Sequence, residues 1–200
     1  MSDYIVDIKN IEEYNTHQSD INPKKAALLI IEMQEIFRSD LNIISSWQID
    51  NIRKLIEFAE DNGTKIIYIR HHDDEVKSKN MISWWGGDKV EKDSPGWQIM
   101  KEFDTNGKTI VDKYQYSAFF ETNLDNILRT NNIEEVIITG VMTNCCCETA
   151  TRDAFMRGYK VFFVNDATST INEELHLAAL KNLAFGFACI KNTDHILSKN

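Results

Sequence analysis

The run Ala26-Ala27-Leu28-Leu29-Ile30-Ile31 constrains the fold more than any other stretch of this chain, because it is apolar at every position. A strand wetted on one face alternates polar and apolar side chains, whereas an unbroken apolar run of strand length is covered on both faces. Similar runs recur. Thr64 to Arg70 (TKIIYIR), Lys108 to Asp112, Glu135 to Gly140 and Lys160 to Val164 read as strands, with a short last one near Ala188-Cys189-Ile190. Between them lie segments of helical period. Ile49, Ile52, Ile56 and Ala59 share one face and end at Asn62-Gly63. Thr122 is a candidate N-cap for a helix with Leu124, Ile127 and Leu128 inward. A helix after Asn172 carries Glu173 and Glu174 in its first turn, where the helix dipole favours negative charge. Strand alternating with helix predicts an α/β fold of three layers, α/β/α, around a mostly parallel central sheet, in one domain over residues 1–200. About residues 1–22 read as an irregular arm, and His71 to about Trp97 as a long polar loop. Sites in such sheets lie beyond the carboxyl ends of the strands.

Composition narrows the partners. At 42% hydrophobic residues, 200 residues can bury one full core. With 22 basic against 31 acidic residues, a formal −9, the chain is expected to bind neither nucleic acid nor an anionic membrane surface. No run has the length and lack of charge of a membrane span, and Met1-Ser2-Asp3-Tyr4 lacks the basic-then-apolar order of a signal peptide, so a cytoplasmic protein is expected. Three of the four cysteines are contiguous and cannot staple distant segments, which fits a reducing compartment.

Those contiguous cysteines, Cys145, Cys146 and Cys147, follow the strand Val136-Ile137-Ile138-Thr139 through Gly140-Val141-Met142-Thr143-Asn144 and lead into a helix ending near Arg157 and closed by Gly158. A thiol in the first turn of a helix feels unpaired N–H groups and the positive end of the dipole, which favour thiolate. The same residues could be small buried hydrophobes. Glu32 ends the first strand and Lys113 follows the third, on the same rim. A carboxylate to move the thiol proton, an ammonium to stabilise negative charge and backbone N–H groups to hold an oxyanion would form a coherent machine if they converge. Without convergence Glu32 is an edge residue or cap and Lys113 a solvated loop lysine.

Three ordered segments carry a family resemblance: Leu29-Ile30-Ile31-Glu32-Met33-Gln34, Lys113-Tyr114-Gln115-Tyr116-Ser117-Ala118-Phe119, and Gly140-Val141-Met142-Thr143-Asn144-Cys145-Cys146-Cys147-Glu148-Thr149-Ala150-Thr151-Arg152-Asp153-Ala154-Phe155. From about Pro23 to the C-terminus, including Val164-Asn165-Asp166-Ala167, the chain resembles the isochorismatase-like, or cysteine hydrolase, superfamily. The resemblance implies a parallel-sheet α/β hydrolase with an Asp-Lys-Cys triad, in which Lys113 is the lysine and Cys146 the nucleophile, Cys145 and Cys147 packing beside it. It also implies a cis peptide between Val141 and Met142, aiming the N–H groups of Met142 and Cys146 at an oxyanion. Neighbouring subunits often extend or cover the sheet in this family, so a homodimer or higher homo-oligomer is expected.

The departures are specific. Glu32 stands where the family usually has Asp, and an added methylene moves a carboxylate by roughly a bond length, so the site is either rebuilt around it or weakened. Family members called nicotinamidases bind a metal through Asp-x-His after the second strand. This chain reads Arg70-His71-His72-Asp73-Asp74 there, and although these could bind zinc, neighbours on an extended chain point to opposite sides. The expectation is no metal, no cofactor and no nicotinamidase. Ser83-Trp84-Trp85-Gly86, Tyr116-Ser117-Ala118-Phe119 and Glu174-Leu175-His176-Leu177 resemble isochorismatase itself. True isochorismatases, however, generally lack the cysteine, and Gln115 stands where they often carry Arg. The substrate pocket is expected to use Gln34, Phe37, Trp84, Trp85 and Tyr116, although the tryptophans could instead pack the loop onto the core or a neighbouring subunit. The expected reaction is cysteine-dependent hydrolysis of a C–N bond in a small amide, carbamoyl or ureido compound. The alternatives are vinyl-ether hydrolysis releasing pyruvate, or binding without catalysis.

Overall fold

Double-sided burial of the apolar runs sets the architecture of the computed structural model, which describes residues 5–39 and 41–198. Six parallel strands form one sheet in the order β3-β2-β1-β4-β5-β6. The strands are β1 (Ala26–Ile31), β2 (Lys65–His71), β3 (Thr109–Lys113), β4 (Glu135–Val141), β5 (Lys160–Ser169) and β6 (Cys189–Lys191). The helices are α1 (Glu35–Ser39), α2 (Ser46–Asn62), α3 (Lys79–Trp84), α4 (Leu124–Thr130), α5 (Glu148–Met156), α6 (Glu173–Gly186) and α7 (Thr193–Leu197).

β1 lies between β2 and β4, and its side chains divide by alternation between two cores. Ala27, Leu29 and Ile31 join Leu128, Ala150, Ala154, Leu180 and Leu183 of α4, α5 and α6. Ala26, Leu28 and Ile30 join Ile52, Leu55 and Ile196 of α2 and α7. Full burial of each leucine or isoleucine contributes about 1.5–3 kcal/mol. The helix boundaries have local causes. The Ser45 hydroxyl accepts from Gln48 N–H at the start of α2, and Gly63, at φ 73°, ends it in the left-handed conformation. The Asn172 side chain caps α6 by accepting from Leu175 N–H.

Three regions depart from the sequence reading. β5 runs five residues beyond Val164, because its register against β4 shifts between Ile138 and Gly140 and the chain bulges before pairing again. The loop after β2 contains α3 and buries Met81 and Trp97. The arm forms a 3₁₀ turn over Ile8–Ile11 and puts Val6 and Ile11 into the α6-side core, two apolar contacts too sparse to give a period. Met1 to Tyr4, the start of the arm, lie outside the described residues. Among the described residues no helix is long and apolar enough to cross a membrane.

Candidate active site

Glu32, Lys113 and Cys146 come together at the carboxyl end of the sheet. β1 ends in a kink: Glu32 has φ 50°, with its N–H donating to Ile69 O at 2.8 Å. Lys113 closes β3 and reaches across β2. Its ammonium pairs with the Glu32 carboxylate, donates to Gln115 O at 2.8 Å and lies 3.5 Å from Cys146 Sγ. The Glu32 carboxylate lies close enough to the thiol to raise it. All three side chains are buried, Lys113 completely.

Charge balance decides their states. Burial alone would lower Lys113, but the two acids beside it, Cys146 at the alkaline pH where the lysine titrates and the Glu32 carboxylate, outweigh it and hold the ammonium above the usual lysine range. Burial and then the Glu32 carboxylate push Cys146 well above an ordinary thiol, with Lys113 pulling the other way. The resting sulfur is therefore a thiol. This corrects the helix-dipole argument, since α5 begins only at Glu148 and the cysteines occupy a π turn, Thr143–Cys147, ahead of it. Cys147 is fully buried in the core, while half-buried Cys145 is pushed up to about 11 by burial and the Glu32 charge.

Close backbone packing brings this turn to Glu32. Gly140 has φ 110°, and a Cβ there would fall 1.9 Å from Ile31 O, so only glycine lets β4 press against the end of β1. The peptide between Val141 and Met142 is cis, as the resemblance implied. Two buried polar side chains then brace the turn from opposite faces of the sheet. From α2, Gln48 Nε2 donates to Gly140 O at 3.0 Å, and its Oε1 accepts from Ser169 Oγ at 2.7 Å. From α6, His176 contacts Thr143 Oγ1 through Nδ1 at 2.8 Å and Asn165 Oδ1 through Nε2 at 3.0 Å. The Asn165 amide N–H groups donate to Val6 O and Asn192 Oδ1, so its oxygen is the acceptor toward His176. Nε2 thus carries the proton and Nδ1 accepts from Thr143. Burial lowers His176 to about 4 and keeps it neutral. Sequence reading missed both braces, because an isolated buried Gln or His has no local signature.

The expected pocket residues behave differently from one another. Tyr116 is half-buried, and burial and the neighbouring Cys145, Cys146 and Glu32 raise its phenol, offset in part by Trp85. Trp85 Nε1 donates to its hydroxyl at 3.1 Å. Phe37 is half-buried against the α2-side core, which also holds Met142. Gln34 is corrected: its amide accepts from His71 N at 2.7 Å and donates to His71 O and Trp97 O at 2.9 Å, so it is a buried backbone strut. Trp84, 79% exposed, does not line the buried site within the chain.

The segment after β2 does not fit a metal. His71 Nε2 faces Asp73 Oδ1 at 3.3 Å, and Asp73 Oδ2 accepts from Val90 N–H. Asp74 accepts from Val76 and Lys77 N–H, and the His72 ring packs edge-on to Tyr114. Among the described residues no three His, Cys, Asp or Glu side chains group as ligands.

The isochorismatase domain family matches residues 26–194, and the chain belongs to that family. Nicotinamidase 3 of Arabidopsis thaliana is 39% identical over 188 residues, 92% of this chain and 93% of the relative. A cysteine hydrolase from Pseudomonas syringae shares the fold, with a TM-score of 0.85 at 24% identity over 99% of this chain and 97% of the other. N-carbamoylsarcosine amidase from Thermoplasma acidophilum superposes with a TM-score of 0.75 at 25% identity over 85% and 97%. The protein is a hydrolase of this family. The nicotinamidase likeness runs against the sequence reading, which set nicotinamidases aside for want of Asp-x-His.

Proposed function

We propose that this protein is a cysteine-dependent amidase that cleaves the C–N bond of a small amide, carbamoyl or ureido compound through a thioester on Cys146. The observation that carries the reading is the buried three-way contact of Glu32, Lys113 and Cys146. A raised thiol suits transfer of its proton to Glu32 as sulfur attacks the carbonyl carbon, rather than a standing thiolate. The N–H groups of Met142 and Cys146 receive the oxyanion, and Lys113 offsets the negative charge. Glu32 then gives the proton to the leaving nitrogen, takes one from water as that water attacks the thioester carbon, and returns it to the departing sulfur, which restores the thiol. The nicotinamidase and carbamoylsarcosine amidase likenesses support C–N cleavage. They make nicotinamide and N-carbamoyl amino acids the first substrates to try.

Ammonia release from such a panel, with an acyl adduct on Cys146 trapped by rapid quench and mass spectrometry, tests the reading. Pyruvate from isochorismate with no ammonia from any amide would replace it with vinyl-ether hydrolysis. No turnover of either kind would leave a binding protein. Homo-oligomerisation remains part of the proposal, supported by the exposed apolar side chains of Trp84, Phe155, Met156 and Phe185. Sedimentation showing only monomer at micromolar protein would remove it.

A further inference from the structure

Three fastenings hold the arm that precedes β1. The Ile11 side chain enters the α6-side core, and the Asn15 amide pairs with both the N–H and the carbonyl of Ile190 on β6, the last strand of the sheet. Val6 is the third: its carbonyl accepts from Asn165 Nδ2 at 2.8 Å. The first two serve packing and a sheet edge. The third leads to the active site, because Asn165 also bonds His176, and His176 bonds Thr143 at the opening of the cysteine turn.

Val6, Asn165, His176 and Thr143 are all buried, so water does not take over these bonds. Asn165 follows Phe163 of the α6-side core by two residues, and strand alternation turns its amide toward α6. The amide nitrogen donates to Val6 O and to Asn192 Oδ1 at 2.9 Å, which leaves Oδ1 to accept from His176 Nε2. A neutral imidazole carries one N–H, so Nδ1 accepts and the Thr143 hydroxyl donates to it. Most members of this chain can reverse. Asn192 can turn its amide over, the imidazole can move its proton to Nδ1, and the Thr143 hydroxyl can rotate to accept. Val6 O is a backbone carbonyl and only accepts. With it in place, the reversed chain would set Asn165 Oδ1 against Val6 O, two acceptors with no proton between them.

We infer that the arm is a working part of the active site: the Val6 carbonyl, acting through Asn165 and His176, fixes the direction of the Thr143 hydrogen bond and so holds the turn that carries Cys146. This rests on the amidase reading of that turn. Thr143 directly follows Met142, whose N–H is proposed to meet the oxyanion and whose carbonyl accepts from Cys145 and Cys147 N–H. A turn that must present N–H groups to developing charge gains from a partner whose polarity cannot change. Val6, Asn165 and His176 are positioning residues. None of them meets the reacting atoms.

The test uses the full-length protein. Val6→Asp places a charge where the arm enters the core and expels it, and Val6→Gly loosens the same residue without a charge. The imidazole 15N–1H spectrum of His176, assigned by its loss in His176→Gln, should show the Nε2–H tautomer alone in wild type. Both Val6 variants should mix in the Nδ1–H tautomer, the aspartate more than the glycine. In both, Cys146 should alkylate with iodoacetamide about threefold or more faster, and kcat toward amides should fall about tenfold at a KM within about twofold. Leu128→Ala empties part of the same core and bonds to no member of the chain, so it should keep the tautomer, the alkylation rate and kcat. A single tautomer in every variant, the same changes in Leu128→Ala, or a mixed spectrum with wild-type alkylation or wild-type kcat overturns the inference. The spectrum and the alkylation rate need no substrate. If both respond to Val6 while no amide is turned over, the proposed function falls and the coupling of arm to turn stands.

Discussion

The turn that carries Cys146 and the segment that packs against Tyr114–Tyr116 beside it are built on opposite principles. The turn is braced from both faces of the sheet, by Gln48 on Gly140 O and by His176 on Thr143, and Thr139 to Thr143 are buried. The segment from His72 to Gln98 exposes Val76 at 83%, Trp84 at 79% and Trp85 at 50%. It is tied to the Tyr114–Tyr116 stretch by hydrogen bonds from Ser78 Oγ to Tyr114 O, from Gln115 Nε2 to Lys77 O and Asn80, and from Trp85 to Tyr116, with the Lys77 ammonium over the Tyr114 ring and His72 edge-on to it. Groups that meet developing charge must be in place before the reaction, because reorganising them costs free energy at the barrier. Groups that select a substrate can move and vary on a surface loop. On the proposed function, the contrast predicts that changes at the turn alter rate and changes in the 72–98 segment alter choice of substrate.

The comparison breaks most directly at the triad. Cys146→Ala should remove turnover altogether while the thermal midpoint stays within a few degrees, since the change deletes one buried sulfur; full activity in this variant would end the nucleophile assignment. Glu32→Gln should do the same. Glu32→Asp should lower kcat about a hundredfold, because retracting the carboxylate by roughly 1 Å separates it from Lys113 and the thiol. A rise in kcat for Glu32→Asp would instead mean that the longer side chain is a decayed form of the family's acid. Gly140→Ala attacks the geometry rather than the chemistry. Its Cβ would meet the backbone of Ile31, so a destabilisation above about 4 kcal/mol is expected in urea melts.

The braces give intermediate effects. His176→Gln should reduce kcat about tenfold with little change in KM, as expected of a residue that acts through Thr143. It should also flatten the acid limb of stability. His176 is neutral when folded down to about pH 4, whereas the unfolded chain takes up its proton near the ordinary histidine value. Its contribution is therefore present above about pH 6.5 and is lost as pH falls toward 4, about 3 kcal/mol in all. Denaturant midpoints at pH 7, 5.5 and 4.5 should fall more steeply in wild type than in the variant, and parallel falls would exclude His176 as the cause. The smallest effect belongs to the 72–98 segment. Trp85→Phe deletes one half-exposed hydrogen bond to Tyr116, so stability should change by less than about 1 kcal/mol and KM by a fewfold, with kcat kept. A large fall in kcat there would dissolve the division of labour.

The strands and long helices were legible because burial writes itself into local pattern. Ala26–Ile31 could only be a covered strand, and Gly63 and Asn172 end or begin helices through their own backbone or side chain. The ordered segments around Glu32, Lys113 and Cys146 also placed the triad on one rim. Tertiary structure alone decided the rest. The sequence did not show that the Gln34 amide is spent on His71 and Trp97, or that the cysteines precede α5 with the Cys146 thiol pushed up by burial. The braces were equally hidden: Gln48 and His176 meet the same turn from helices 92 and 33 residues away from their partners in the chain. Periodicity reports which face of an element is buried. It carries no information about which polar groups, distant in sequence, share hydrogen bonds in the interior, because those pairings depend on how the packed layers meet.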